Sequence, residues 1–179
     1  VTILHEMAHG LGPSFARTPA GKVGIRESIG PTFSGLEEAK ADVVGMFGMK
    51  WLVDHSVLPK NKLEEYYASY VAGIFRTVRF GIAEAHGQAE MMEFNYLSER
   101  GAIKPESSGR YEIDYGRMSF AISDLAKELL EIEATGDRAR AENWFNKYEA
   151  MPVQLQASLK SAASVPVDID PVFSFKHSF

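Results

Sequence analysis

Apolar residues recur every three or four positions along most of this 179-residue chain, which is the spacing of amphipathic helices. The pattern predicts helices over residues 1–11, 34–55, 62–80, 82–100, 119–135, 138–150 and 152–163. Ser34 and Glu37 stand three positions apart, as in a capping box, and predict the start of the second helix. Asp137 is the expected N-cap of the helix over 138–150.

Three stretches break this helical pattern. Residues 12–33 have no steady period and contain several glycines and prolines, so we expect a long loop there. Residues 103–104 and 111–115 flank a turn rich in Pro, Ser and Gly and predict a short β-hairpin. Residues 165–179 alternate in polarity and contain prolines, which is typical of an extended segment. The expected fold is therefore mainly α, with a minor β-hairpin and an extended C-terminal tail.

The length and composition are those of one ordinary folded domain. The chain has 45% hydrophobic and 24% charged residues, so we expect residues 1–179 to form a single helical domain. Val1 is neither an initiator methionine nor part of a recognisable signal peptide, which suggests a piece of a longer, cytoplasmic protein. No apolar run approaches the ~18 residues needed to span a bilayer, so we expect no membrane partner.

The residue counts limit the chemistry that this chain can perform. The absence of cysteine excludes disulfide scaffolds, cysteine nucleophiles, iron–sulfur clusters and thiolate zinc sites. A transition-metal site would therefore have to use His, Asp or Glu. The formal charge of −5 and the scattered Lys and Arg residues argue against nucleic acid as a partner.

The first predicted helix carries an H-E-x-x-H motif, formed by His5, Glu6 and His9. Residues four apart lie on the same face of a helix, so both imidazoles can reach one zinc ion. Glu6 can then accept a proton from a water molecule on the metal while that water attacks a carbonyl. The motif alone leaves open a chance match on a surface helix.

The position of a third ligand separates two classes of zinc peptidase. A metzincin would need a third histidine three residues after Gly12, and that position holds Phe15. A gluzincin instead takes a glutamate from a later helix. Glu38 and Asp42 share a helix face, so Glu38 can bind the metal while Asp42 reaches the back nitrogen of a ligand histidine. We interpret Glu37 as a cap or an outer partner; a solvated acidic first turn remains the alternative for both glutamates.

The HEMAH motif followed by LEEAKAD resembles the dipeptidyl peptidase III family of zinc metallopeptidases, whose second motif is E-E-x-x-A-[ED]. The second glutamate of that motif is the family's metal ligand, which matches Glu38, and the final acid matches Asp42. The chain has the pentapeptide form of the first motif that some bacterial members carry, whereas better-known members have one more residue. The resemblance implies a helical, metal-bearing lobe.

A third segment, Ala85-His86-Gly87-Gln88-Ala89-Glu90, resembles the family's A-H-x-Q-A-R. The resemblance implies that His86 assists the transition state. Glu90 replaces the arginine that helps to hold the substrate in the family, so the resemblance leaves open whether this chain shares the dipeptide-releasing specificity. From the residues alone, His86 fits a hydrogen-bonded structural histidine equally well, and Gly87 predicts a tight contact or a kink.

Our first hypothesis is a zinc metallopeptidase with one Zn²⁺ bound by His5, His9 and Glu38. Glu6 is the general base and His86 a second catalytic residue, with Glu37 and Asp42 behind the ligands.

The expected partners are a peptide substrate and an upstream lobe of the same protein. Residues 1–100 would hold the zinc-site helices of the catalytic lobe, and residues 101–179 the hairpin and supporting helices. The alternative hypothesis is an inactive metal-binding or structural helical module, or a fragment that is inactive without its upstream lobe.

Overall fold

The computed structural model describes residues 2–19, 21–166 and 172. Within them, the elements are α1 Thr2–His9, β1 Phe15–Thr18, β2 Gly21–Gly24, α2 Ile25–Ile29, α3 Phe33–Asp54, α4 Leu63–Phe80, α5 Ala85–Glu99, β3 Ile103–Pro105, β4 Tyr111–Ile113, α6 Tyr115–Thr135, α7 Arg138–Tyr148 and α8 Val153–Ser161. Short 3₁₀ turns over Gly30–Thr32 and Lys60–Lys62 precede α3 and α4. The mainly α fold with a small hairpin is confirmed.

Helix α3 lies at the centre of the molecule and packs against α1, α5 and α6, while α4 packs against α5. Buried residues occur on most sides of α3, which is typical of a helix enclosed by others. Most of the core side chains in the described part of the chain come from α3 to α6 and include Leu36, Met46, Tyr67, Ile74, Met91, Leu97, Ile122 and Leu129.

Helices α1 and α3 approach each other closely because small residues lie where they meet. A Cβ atom at Gly45 would lie 3.1 Å from the backbone nitrogen of His5 and 3.2 Å from the carbonyl carbon of Leu4. Ala8 of α1 and Ala41 of α3 are fully buried. This packing brings the H-E-x-x-H motif against the acidic turn of α3.

Helix α5 begins at Ala85, three residues later than the apolar pattern predicts. A Cβ atom at Gly87 would collide with the carbonyl oxygen of Gly81, so the tight contact predicted at Gly87 is present. Gly81 itself has a φ of 125°, a conformation that favours glycine and turns the chain into α5. His86 is thereby placed in the first turn of α5.

The prediction of a long loop over residues 12–33 is wrong. Strands β1 and β2 form an antiparallel hairpin in which Phe15 pairs with Gly24 and Thr18 with Gly21, and α2 follows directly. Each strand has four residues, and only Ala16 is buried, so no alternation of polarity marks them in the sequence. The second hairpin, β3–β4, was predicted and pairs Ile103 with Ile113.

The capping box predicted at Ser34 is also wrong. The helix begins one residue earlier, at Phe33, and Thr32 before it has helical φ and ψ angles of −80° and −6°. A 3₁₀ turn therefore leads directly into α3, whereas a capping residue needs an extended backbone. The predicted cap at Asp137 is present, since its side chain accepts a hydrogen bond from the backbone N–H of Arg140.

Most of the extended tail predicted for residues 165–179 lies outside the described residues. None of the helices in the described part of the chain combines the length and the apolar character that crossing a membrane requires.

Candidate metal centre

Three side chains from α1 and α3 converge on one point. The Nε2 atoms of His5 and His9 are 3.2 Å apart. Oε2 of Glu38 lies 3.4 Å from Nε2 of His5 and 3.6 Å from Nε2 of His9. Among the described residues, these three form a group of His and acidic side chains with donor atoms near enough to share a metal ion.

The spacing of these atoms fits a tetrahedral metal. Ligand atoms about 2.0–2.1 Å from a tetrahedral zinc ion stand about 3.3 Å from one another. The three distances of 3.2, 3.4 and 3.6 Å are close to that value. Oε2 of Glu38 is buried and has no hydrogen-bond partner in the described part of the chain. A buried carboxylate oxygen without a donor needs a cation to balance its charge.

Each histidine has a carboxylate behind it. Nδ1 of His5 lies 2.8 Å from Oδ1 of Asp42, and Nδ1 of His9 lies 2.9 Å from Oε1 of Glu37. Since an ionised carboxylate only accepts hydrogen bonds, we assign the ring proton to Nδ1 in both histidines. Nε2 of each ring then presents a lone pair toward Glu38, as a metal ligand must.

The electrostatics of the His5 side follow from burial and charge. His5 is only 8% exposed. Its hydrogen bond to Asp42 raises the pKa of the imidazole, outweighing burial, which lowers it; the charges of Asp42, Glu38 and Glu6 act in the same direction as the hydrogen bond. The surroundings therefore favour positive charge at the imidazole of His5.

Glu37 on the His9 side is flanked by further ionisable groups. Burial would raise the pKa of Glu37, but hydrogen bonds from Lys40, His9 and Glu133 outweigh it and lower the pKa. Burial and the adjacent Glu37 raise the pKa of Glu133 to about 8. Glu37 is therefore the ionised member of this pair at neutral pH, and Glu133 the protonated one.

A cavity of about 310 Å³ opens beside His5, one of the three convergent side chains. Glu6 is exposed and lines this cavity together with His5 and His86. The other lining residues include Asp42, Tyr70, Arg76, Thr77 and Glu90. A carboxylate at this position is accessible to a water molecule or to a substrate that enters the cavity.

His86 stands at the edge of the same group. Its side chain is 60% exposed, and its Nε2 atom lies 3.2 Å from Oε2 of Glu38. Its ring stacks on that of His5 with a centroid separation of 6.1 Å. All seven residues singled out from the sequence are thus neighbours, although three of them come from α1, three from α3 and one from α5.

Two acids near the site have surroundings that were not expected from the sequence. Glu93 is 1% exposed and accepts a hydrogen bond of 2.6 Å from the hydroxyl of Tyr70; burial and the charge of Asp42 raise its pKa. Glu90 has a pKa raised to about 7 by burial and by the same charge. The sequence marks Glu93 only as an acid three residues after Glu90 on a helix, which is equally typical of a solvated face.

Comparison with known proteins supports the motif-based resemblance. No family model matches the chain. The structure of DPP III from Caldithrix abyssi is 35% identical with a TM-score of 0.93, over 96% of this chain and 33% of that chain. The structure of dipeptidyl-peptidase III from Corallococcus sp. strain EGB is 34% identical with a TM-score of 0.90, over 96% of this chain and 32% of that chain. The resemblance to dipeptidyl peptidase III is therefore confirmed.

A curated relative carries a different name. "Nudix hydrolase 3" of Arabidopsis thaliana is 38% identical over 175 residues, which cover 96% of this chain and 23% of that protein. The chain thus spans less than a quarter of that relative and about a third of the two bacterial proteins.

Proposed function

We propose that this dipeptidyl peptidase III-like chain supplies the metal-binding part of a zinc metallopeptidase that hydrolyses peptide bonds. The observation that carries the proposal is the set of three donor atoms spaced at 3.2–3.6 Å, with a carboxylate behind each histidine. A solvated acidic turn would not place a buried carboxylate oxygen that accepts no hydrogen bond against two imidazole lone pairs.

His5, His9 and Glu38 would hold the zinc ion. Bound zinc polarises the scissile carbonyl as a Lewis acid. Asp42 and Glu37 keep the proton of each imidazole on Nδ1, so that Nε2 remains available as a ligand.

Glu6 acts as the general base. Its exposed carboxylate faces the cavity beside His5, where an attacking water molecule would stand. It accepts a proton from that water and then donates it to the departing amine. The two transfers use the same side chain and leave Glu6 ionised at the end of the cycle.

His86 donates a hydrogen bond to the substrate's carbonyl oxygen as negative charge develops there. It is exposed to the cavity and lies within 3.2 Å of Glu38, so its ring stands beside the reacting group. A donor aimed at developing charge stabilises a transition state more than a ground state.

The rest of the substrate site would come from outside residues 1–179. We infer that the chain forms the C-terminal part of a zinc-bearing catalytic lobe, with the metal-site helices in residues 1–100 and supporting elements in 101–179. We expect a peptide substrate, an upstream lobe as partner, a cytoplasmic location and weak or no activity of the 179-residue chain alone. The Nudix name belongs to a plant protein of which this chain matches 23%, so it does not identify the chemistry of these residues.

The experiment measures zinc content and peptide hydrolysis in the full-length protein. We expect His9→Ala and Glu38→Gln to lose most of the zinc and Glu6→Gln to keep zinc while losing roughly 10²–10⁴-fold in hydrolysis. His55→Ala is the matched control, because His55 contacts Trp51 at the far end of α3. Unchanged zinc content in both ligand variants would refute the site. Zinc binding without hydrolysis in the full-length protein would favour the inactive module.

A further inference from the structure

Lys40 is a lysine in an unusual place: it is 1% exposed, on α3, two residues after Glu38. A buried ammonium group is stable only when charged or polar partners surround it, because its transfer out of water costs several kcal/mol. The partners of Lys40 therefore show what this charge holds in place.

Three of its partners are backbone carbonyls at the end of α1. Nζ of Lys40 lies 3.0 Å from the carbonyl oxygen of Ala8, 3.3 Å from that of His9 and 3.1 Å from that of Leu11. The last carbonyls of a helix have no partner within the helix and carry partial negative charge. Lys40 thus ties the C-terminal end of α1 to α3.

The fourth partner is the carboxylate that contacts the ring of His9. Nζ of Lys40 lies 2.8 Å from Oε1 of Glu37, and the same oxygen lies 2.9 Å from Nδ1 of His9. The ammonium group and the imidazole N–H therefore both donate to one oxygen. The contacts run from the ring of His9 through Glu37 and Lys40 to the backbone of His9, which forms a closed ring.

We propose that Lys40 is a positioning residue for His9: it fixes both the backbone of that histidine and the carboxylate that orients its ring. The inference rests on the proposed metal site, in which His9 is a ligand. A neutral residue at position 40 removes the Lys40 donor from the carbonyls at the end of α1 and leaves Glu37 without its cation. The ring of His9 then loses a fixed acceptor, and its Nε2 atom is held less firmly toward Glu38.

The test compares zinc affinity in full-length variants by competition with a chromophoric chelator. Removing a carboxylate that orients a histidine ligand typically weakens metal binding 10–100-fold. Because Lys40 holds such a carboxylate, we expect K40M to weaken zinc binding by about that factor. K50M is the matched control: Lys50 is on the same helix, pairs with Asp54 and is remote from the metal group. We expect its affinity to stay within about twofold of the parent.

A double variant separates positioning from a general loss of stability. If Lys40 acts through Glu37, the K40M/E37Q protein binds zinc no more than about twofold more weakly than K40M. If the fold-losses of zinc affinity in K40M and E37Q instead multiply in the double variant, the proposal is overturned. Unchanged zinc affinity in a folded K40M would also overturn it. If K40M does not fold, E37Q decides: it keeps the carbonyl contacts of Lys40, so a tenfold loss supports the inference and unchanged affinity refutes it. A parent protein that binds no zinc refutes the proposed function instead.

Discussion

The two imidazoles of the candidate centre make the same kind of contact in different surroundings. The side chain of His5 is 10% exposed and that of His9 is 30% exposed. Near His5 and Asp42 lie the half-buried Glu90 and the buried Glu93. Glu37, the acceptor for His9, instead lies between Lys40 and Glu133.

This difference indicates that the candidate centre orients its two histidines by two physical means. On the His5 side, deeper burial limits the water that could compete for the Asp42 contact. On the His9 side, the ring is more exposed to solvent, and the charge of Lys40 together with a hydrogen bond from Glu133 holds the acceptor in place.

The largest effect is expected from Gly45→Val, which disturbs both sides at once. A side chain there would push against the backbone of α1 at Leu4 and His5, so we expect unfolding free energy to fall by about 3 kcal/mol. Gly48→Val is the control, because a Cβ atom at Gly48 meets nothing within 4 Å in the described part of the chain. Urea unfolding of the metal-free protein measures both; equal stability of the two variants would contradict the close α1–α3 contact.

The next effect concerns Glu133 on the His9 side. Its pKa is about 8 in the folded protein against an ordinary value of 4.5, so the folded state holds the proton more tightly. Its stabilising contribution is complete below pH 4.5 and is lost as pH rises toward 8. Between pH 5 and 8 the free energy of unfolding should fall less in Glu133→Gln than in the parent, by on the order of 2–3 kcal/mol. Parallel stability curves from urea unfolding across this range would show that Glu133 titrates normally.

A smaller effect distinguishes the two acceptors themselves. We expect Asp42→Asn to weaken zinc binding by up to about 100-fold and Glu37→Gln by only about tenfold. The reason is that water can reach the ring of His9 more easily and replace part of its lost acceptor. Chelator competition measures both constants. If Glu37→Gln weakens zinc binding more than Asp42→Asn does, burial is not the stronger of the two means of holding a histidine.

The smallest effect is expected from Glu90→Gln. The charge of His5 lowers the pKa of Glu90, so by reciprocity a carboxylate at position 90 favours protonated His5. Removing it should lower the pKa of His5, which NMR titration of the metal-free protein can follow. Glu64→Gln on the first turn of α4 is the control and should leave that titration unchanged. No shift in Glu90→Gln would show that Glu90 is neutral over the range in which His5 titrates.

The sequence predicts those parts of the site that depend on spacing within one helix. His5 and His9 are four residues apart, as are Glu38 and Asp42, so a shared face follows from helical geometry. The contact of Asp42 with the back of a histidine, expected from that spacing, is present in the structure.

The parts that were missed depend on how separate elements cross. Lys40 contacts carbonyls 29 to 32 residues away, and only the packing of α1 on α3 reveals this. Of the two roles expected for Glu37, the outer contact with a histidine is present, at His9, and the cap at Ser34 is absent, because a 3₁₀ turn already leads into the helix. The β1–β2 hairpin was missed because strands this short have too few buried positions to show a period.

The three carboxylates around the imidazoles, Glu37, Glu38 and Asp42, all belong to α3. A rigid helix moves as one body, so a rotation or shift of α3 would displace all three together. Opening of the site should then be all-or-none: a partly assembled centre that keeps one acid while releasing another would require α3 itself to unwind.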